Sequence, residues 1–291
     1  MTDLIVRPLT AGEEQLFDSM PDPLPELRQV SYADGLAGGG YRPEHTWVAL
    51  RDGRVVARAA WLLPPGAVGE PWLERFEVAA EPEVGATLLR AAHEALGGPK
   101  IYYAAAPAYW RRRTEVREAL SAPMTAARLA GLTETGERLR LTWTRTPLPA
   151  ASGRYTFRAA ESDQEVEELV ARMTDPAVLT GVEMARTAAG VDLARDPLKW
   201  VSGTWRVALD SDVPVGLAGP TGDACYPMIA YLGVLEEAAL SDLVADAAAT
   251  LEEQGAYEVV ADVDAHRVAV VADLERLGFR RVRSRVAFMP E

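Results

Sequence analysis

The sequence predicts an α/β protein made of two consecutive copies of one unit, each a mixed sheet, mainly antiparallel and then parallel, flanked by helices. Three observations carry this. The order strand, helices, three strands, helix, strand, helix, strand occurs twice along the chain. Strand pairs opening with Thr-Trp, at Trp47 and at Trp205, stand at corresponding places in the two repeats, and so do the helix-ending glycines Gly131 and Gly278. The β–α–β–α–β half of each repeat implies parallel pairing through right-handed crossovers, with an antiparallel hairpin in front.

The first copy spans residues 1–146. LIVRPL reads as a strand and AGEEQLFDSM as a short helix. GLAGGGY, residues 35–41, follows no strand and matches no phosphate-binding fingerprint, so it is expected to be a mobile loop. TWVAL and RVVARAAWLL flank the turn RDG, a hairpin signal. PWLERFEV is a further strand. In PEVGATLLRAAHEAL, Val84, Leu88, Ala91, Ala92 and Leu96 recur at helical spacing, and Gly97 and Gly98 stop the helix. KIYYAAA is a strand. A helix is expected from about Tyr109 to Leu129, opened by Arg111, Arg112 and Arg113 against the helix dipole, a placement that suits gripping an anion or simple solvation. RLRLTWTR closes the copy.

PLPAASG, residues 147–153, reads as a linker. The second copy, 154–291, begins with the strand YTFRAA and the helix EVEELVARM. TWRVALD and VPVGLAG form a hairpin about Asp210–Asp212. MIAYLGVL is a strand, and in LSDLVADAAATLEEQG the residues Leu240, Leu243, Val244, Ala247, Ala248 and Leu251 share one face. YEVVADVD, the helix HRVAVVADLERLG and the strand RRVRSRVAFMP complete it, with Arg281, Arg283 and Arg285 alternating against Val282, Val286 and Phe288.

Composition bounds the partners. The 291 residues are 48% hydrophobic and 25% charged, which excludes a disordered chain, and no run of about 20 apolar residues exists to span a membrane. The N-terminus shows no secretory pattern, and the single cysteine, Cys225, fits a reducing cytoplasm. Three separated histidines make a metal site unexpected. Net charge is −13, with 13 basic and 24 acidic residues after position 150 against 17 and 19 before it. That balance argues against nucleic acid and suits an amine-bearing small molecule or plain solubility. A cytoplasmic monomer or homodimer acting on a small-molecule substrate is expected.

YLGVL followed by an amphipathic helix, then GAYEVVADVD, then a helix ending LERLGFRRV resembles the GNAT (GCN5-related) N-acetyltransferases. The element order resembles that fold twice over, as in actinobacterial tandem GNAT proteins. The resemblance implies acetyl-CoA or another acyl-CoA as cofactor, its pantetheine arm held by backbone groups of the fourth strand (here Leu232, Val234 and Leu235) and its pyrophosphate wrapped by an Arg/Gln-x-x-Gly-x-Gly/Ala loop at a helix N-terminus.

The loop is the departure. After Leu235 the chain reads EEAALSD, without arginine, glutamine or glycine, and Glu236 and Glu237 repel phosphate. The first copy offers only Gly85 after LERFEV, among Glu77, Glu81 and Glu83. The tyrosine that many family members use to protonate the leaving thiolate corresponds to Leu274, and a frequent asparagine to Arg267, which the resemblance makes a cofactor-binding position. Asp264, at the C-terminal end of its strand, with His266 could do acid/base work, although an aspartate there also serves as a helix cap. Tyr226 and Tyr231, on the fourth strand, are further catalytic candidates, at most one of which faces a cleft on an unbroken strand. The expected activity is transfer of an acyl group to an amine. Alternatives are a scaffold turned to cyclisation, hydrolysis or decarboxylation without CoA, and a non-catalytic binding protein.

Overall fold

The computed structural model describes residues 3–27, 31–63, 65, 70–179, 205–222 and 227–290. The chain divides into two compact units, Met1–Glu137 with Arg283–Glu291, and Arg138–Val282. The strand formed by Leu132–Trp143 (β6) and that formed by Arg280–Pro290 (β13) each run across a boundary between them. Both boundaries of this division fall within strands rather than in the segment 147–153.

In the first unit the strands are β1 (Leu4–Pro8), β2 (Thr46–Arg51), β3 (Arg54–Leu62), β4 (Trp72–Val78) and β5 (Tyr102–Pro107). The sheet order is β1-β2-β3-β4-β5-β13. The β2–β3 hairpin turns through Asp52 and Gly53, both at positive φ, the backbone that a tight hairpin needs. The last strand in the order is the correction. RRVRSRVAFMP, expected to close the second copy's sheet, pairs antiparallel with β5, Arg283 opposite Pro107 through Phe288 opposite Tyr102. Val286 and Phe288 are fully buried in the first unit's core. Period-2 alternation fixes which face of a strand is buried and leaves open which sheet supplies the neighbour.

Four helices accompany these strands: α1 (Glu14–Asp18), α2 (Tyr32–Ala37), α3 (Pro82–Ala95) and α4 (Thr114–Leu129). Helix α2 replaces part of the expected loop at 35–41. Ser31 caps it by accepting from the Asp34 N–H, and Gly35 has no Cβ because the Tyr41 ring occupies that place. The three arginines precede α4 rather than opening it, because Trp110–Arg112 forms a separate short turn behind Tyr109 at φ 56°. Arg111 lies over the Trp110 ring and bonds Glu137, which also accepts from Trp110 Nε1 and from Ser284.

Arg58 is buried on β3. Its Nε donates to Glu77 at 2.9 Å, and its Nη1 donates to the carbonyls of Phe17 and Met20 at 2.6 and 2.7 Å. One guanidinium thus ties the end of α1, at Phe17, and the following Met20 to two strands.

The second unit holds β7 (Thr156–Ala159), β8 (Val178–Leu179), β9 (Arg206–Asp210), β10 (Val213–Gly222), β11 (Pro227–Val234) and β12 (Val259–Asp264). Among the described residues its helices are α5 (Asp163–Arg172), α6 (Leu240–Glu253) and α7 (Val268–Arg276). The sheet order is β6-β12-β11-β10-β9-β7, with β8 also against β11. Residues 138–143 of β6 pair antiparallel with β12, so RLRLTW, expected to close the first copy, supplies the sixth strand here. Leu139, Leu141 and Trp143 join the core that α6 covers. No helix among the described residues is long and apolar enough to cross a membrane.

Candidate functional site

The site is built on the pairing of β6 with β12. The sequences Arg-Leu-Arg and Asp-Val-Asp run antiparallel in register, so Arg138 stands opposite Asp264 and Arg140 opposite Asp262. Directly opposed residues on one face are close enough for their ends to meet. Arg140 grips Asp262 with two hydrogen bonds of 2.8 Å each. Arg138 Nε lies 3.1 Å from Asp264 Oδ1, and its Nη1 donates to the Leu179 carbonyl at 2.6 Å.

Beyond β12 the chain turns through Ala265 and His266 into α7. The Arg267 N–H donates to the Asp264 carbonyl, and Arg267 takes the position before the helix without a side-chain cap. The Asp264 carboxylate therefore serves Arg138 and is no helix cap. Arg267 Nη1 lies 3.2 Å from Asp175 Oδ2, and its other terminal nitrogen bonds the second oxygen. This hydrogen-bonded guanidinium holds the Asp175 carboxyl below the usual carboxylate range, and the charge of His266 acts in the same direction. Arg138, Asp264, Arg267, Asp175, Ala177 and Leu179 line a cavity of about 150 Å³.

The expected site residues thus separate. Asp264 and Arg267 meet at the cavity. His266 is exposed at its margin, near Asp175. Tyr226 lies outside the described residues, as does Cys225. Tyr231 is buried against Trp205, with ring centroids 5.7 Å apart, and its hydroxyl meets no partner among the described residues. Burial pushes that hydroxyl well above its ordinary range.

The strand expected to hold a pantetheine arm has another occupant. Beyond Met228–Val260 and Ile229–Ala261 the parallel strands β11 and β12 no longer pair, and β8 pairs with β11 instead, Leu179 opposite Tyr231 and Val178 opposite Leu232. Val178 and Leu232 are fully buried. Val234 pairs with Gly216 on β10, and the Leu235 N–H donates to Val215. At the start of the following helix, Glu236 accepts from Arg154 and from Tyr155.

The first unit does not supply the grip either. Gly85 is buried in α3, where a Cβ would come within 2.6 Å of Val78 and 2.8 Å of Ala126, so this glycine serves helix packing. Strands β4 and β5 pair only at Leu73–Tyr102, and the slot between them, lined by Glu74, Phe76, Glu77, Leu24 and Leu120, holds about 20 Å³. The residues present do not fit an acyl-CoA in the manner the resemblance implies. Among the described residues no group of three or more His, Cys, Asp or Glu side chains gathers for a metal ion.

Sequence reasoning missed Arg138, Asp175 and β8. The Arg-x-Arg and Asp-x-Asp repeats were the available signal for Arg138. Two residues of strand after Pro176 are too short to show a period.

No family model and no curated protein matches the chain. Solved structures do. A GCN5-related N-acetyltransferase from Sphaerobacter thermophilus matches with a TM-score of 0.58 at 15% identity, over 98% of this chain and 94% of that one. A tandem GNAT protein from the clavulanic acid biosynthesis pathway matches at 0.46 and 16%, over 98% of both chains. An acetyltransferase of the GNAT family from Colwellia psychrerythraea matches at 0.47 and 13%, over 99% and 100%. With two α/β units whose element order repeats and a solved relative that spans nearly its whole length, the chain has the fold of the GCN5-related N-acetyltransferases.

Proposed function

We propose that this protein handles a small amine-bearing molecule on a GNAT scaffold without acyl-CoA in its second unit. The observation that carries the reading is the pairing of Val178 and Leu179 with β11, where the arm of an acyl-CoA would lie. Backbone groups already bonded within a sheet offer little to a ligand. The acidic start of α6 opposes a pyrophosphate by the same electrostatics that make other helix N-termini bind one.

The reaction class that suits such a cleft is one driven by carboxylate, guanidinium and histidine side chains, such as cyclisation, hydrolysis or decarboxylation. A second reading, acyl transfer to an amine by the first unit, is favoured by one feature: β4 and β5 part after a single pair, the opening through which that fold receives its cofactor. Thermal unfolding with increasing acetyl-CoA separates the two. A binder gains about 2.7 kcal/mol at 100 times its dissociation constant. We expect no shift at millimolar acetyl-CoA. A saturable rise in Tm would sink the first reading and support the second.

A further inference from the structure

We propose that the cavity at the end of β12 binds a small aliphatic α-amino acid as its zwitterion. This inference deepens the preceding reading, and takes from it only that the ligand carries an amine. The polar wall consists of two guanidinium groups, Arg138 and Arg267, and two carboxylates, Asp264 and Asp175. An anion entering alone meets two carboxylates, and a cation alone meets two guanidinium groups. A molecule bearing one carboxylate and one ammonium group satisfies both signs at once.

Arg267 suits the carboxylate end: two of its five N–H donors go to Asp175, and a planar guanidinium holds a second carboxylate with those that remain. Arg138 is largely buried and is aimed by its bond to the Leu179 carbonyl, so little side-chain freedom is left to lose on binding. Asp264, which exposes 30% of its side chain, and Asp175 are the acceptors for the ammonium group. The rest of the lining is apolar and compact: Pro176, Ala177 and Leu179. At about 150 Å³ the cavity is well below the roughly 300–1,000 Å³ that larger ligands occupy. A short branched alkyl chain fills such a space.

Isothermal titration calorimetry of the full chain with L-valine tests this. We expect a Kd of about 1 mM or tighter, a range the method reads directly. Isovalerate, which lacks the ammonium group, and isobutylamine, which lacks the carboxylate, should each bind at least about tenfold more weakly. Asp175→Asn and Arg267→Gln should each weaken L-valine binding about tenfold. The Asp175 side chain is 78% exposed, so its variant reports on binding rather than on folding, unlike any change at Arg138. No heat with L-valine, equal affinity for either half-molecule, or unaltered binding by both variants would overturn the proposal. A thermal shift with acetyl-CoA would overturn the preceding reading and leave an L-valine result standing.

Discussion

Val178 stands opposite Leu232 in antiparallel register, both fully buried, at the place where β11 has left β12. The consequence is energetic as well as steric. Val178 lies in the main core of the second unit, so the two-residue strand is held by packing in addition to its ladder bonds.

Val178→Ala should therefore destabilise the second unit by about 1–3 kcal/mol, through lost burial and the space left behind. Urea unfolding followed by backbone circular dichroism measures it. An unchanged midpoint would show that β8 is not packed as described.

Arg58 and Glu77 form a buried ion pair, with Arg75 Nε also 4.0 Å from the same carboxylate. Arg58→Met should cost about 3 kcal/mol, because the carbonyls of Phe17 and Met20 lose this donor and the Glu77 carboxylate loses its 2.9 Å partner. The double variant Arg58→Met with Glu77→Leu should recover part of that loss. A double-mutant cycle in urea reads both values.

His93 is buried on α3, edge-on to Trp61 at 5.9 Å, and its Nε2 meets no partner among the described residues. Burial, aided by the charge of Lys100, pushes it down to about 4. The folded value is below the unfolded one of about 6.5, so folding favours the neutral ring. The associated stability is fully present above about pH 6.5 and is lost as pH falls toward 4, a change of about 3 kcal/mol. In His93→Phe this part of the pH dependence should vanish. Urea midpoints of both proteins at pH 4.5 and 7.5 give the comparison, with the difference between proteins cancelling the carboxylates they share.

Deletion of residues 283–291 should unfold the first unit, although the sequence order places them in the second copy. Val286 and Phe288 each contribute about 1.5–3 kcal/mol of burial, and the six-residue ladder with β5 is lost as well. Hydrogen exchange should show amides of residues 102–107 losing protection while those of 259–264 keep theirs.

Most elements were legible because their signals are local. Helix α6 declares itself through Leu240, Val244 and Leu251, and the two hairpins through their turns. What escaped depends on distant partners. Nothing within RRVRSRVAFMP distinguishes β5 from β12 as a neighbour, since alternation specifies a face only. At the site, Asp264 and Arg267 were readable from their place at a strand end. Arg138 and Asp175 were not, because 126 and 89 residues of chain respectively separate each from Asp264. The glycine-rich segment misled for a related reason: Gly35 answers to the ring of Tyr41, a contact that composition does not display.

The strand that completes the first sheet has a further consequence, during synthesis. Residue 107 leaves the ribosome long before residue 283 does. At roughly 5–20 residues per second, the interval is on the order of ten seconds or more. For that time β5 is a bare edge of the kind that invites pairing with other nascent chains. Translation speed through the second half of the message thus sets how long the first half stays exposed to aggregation.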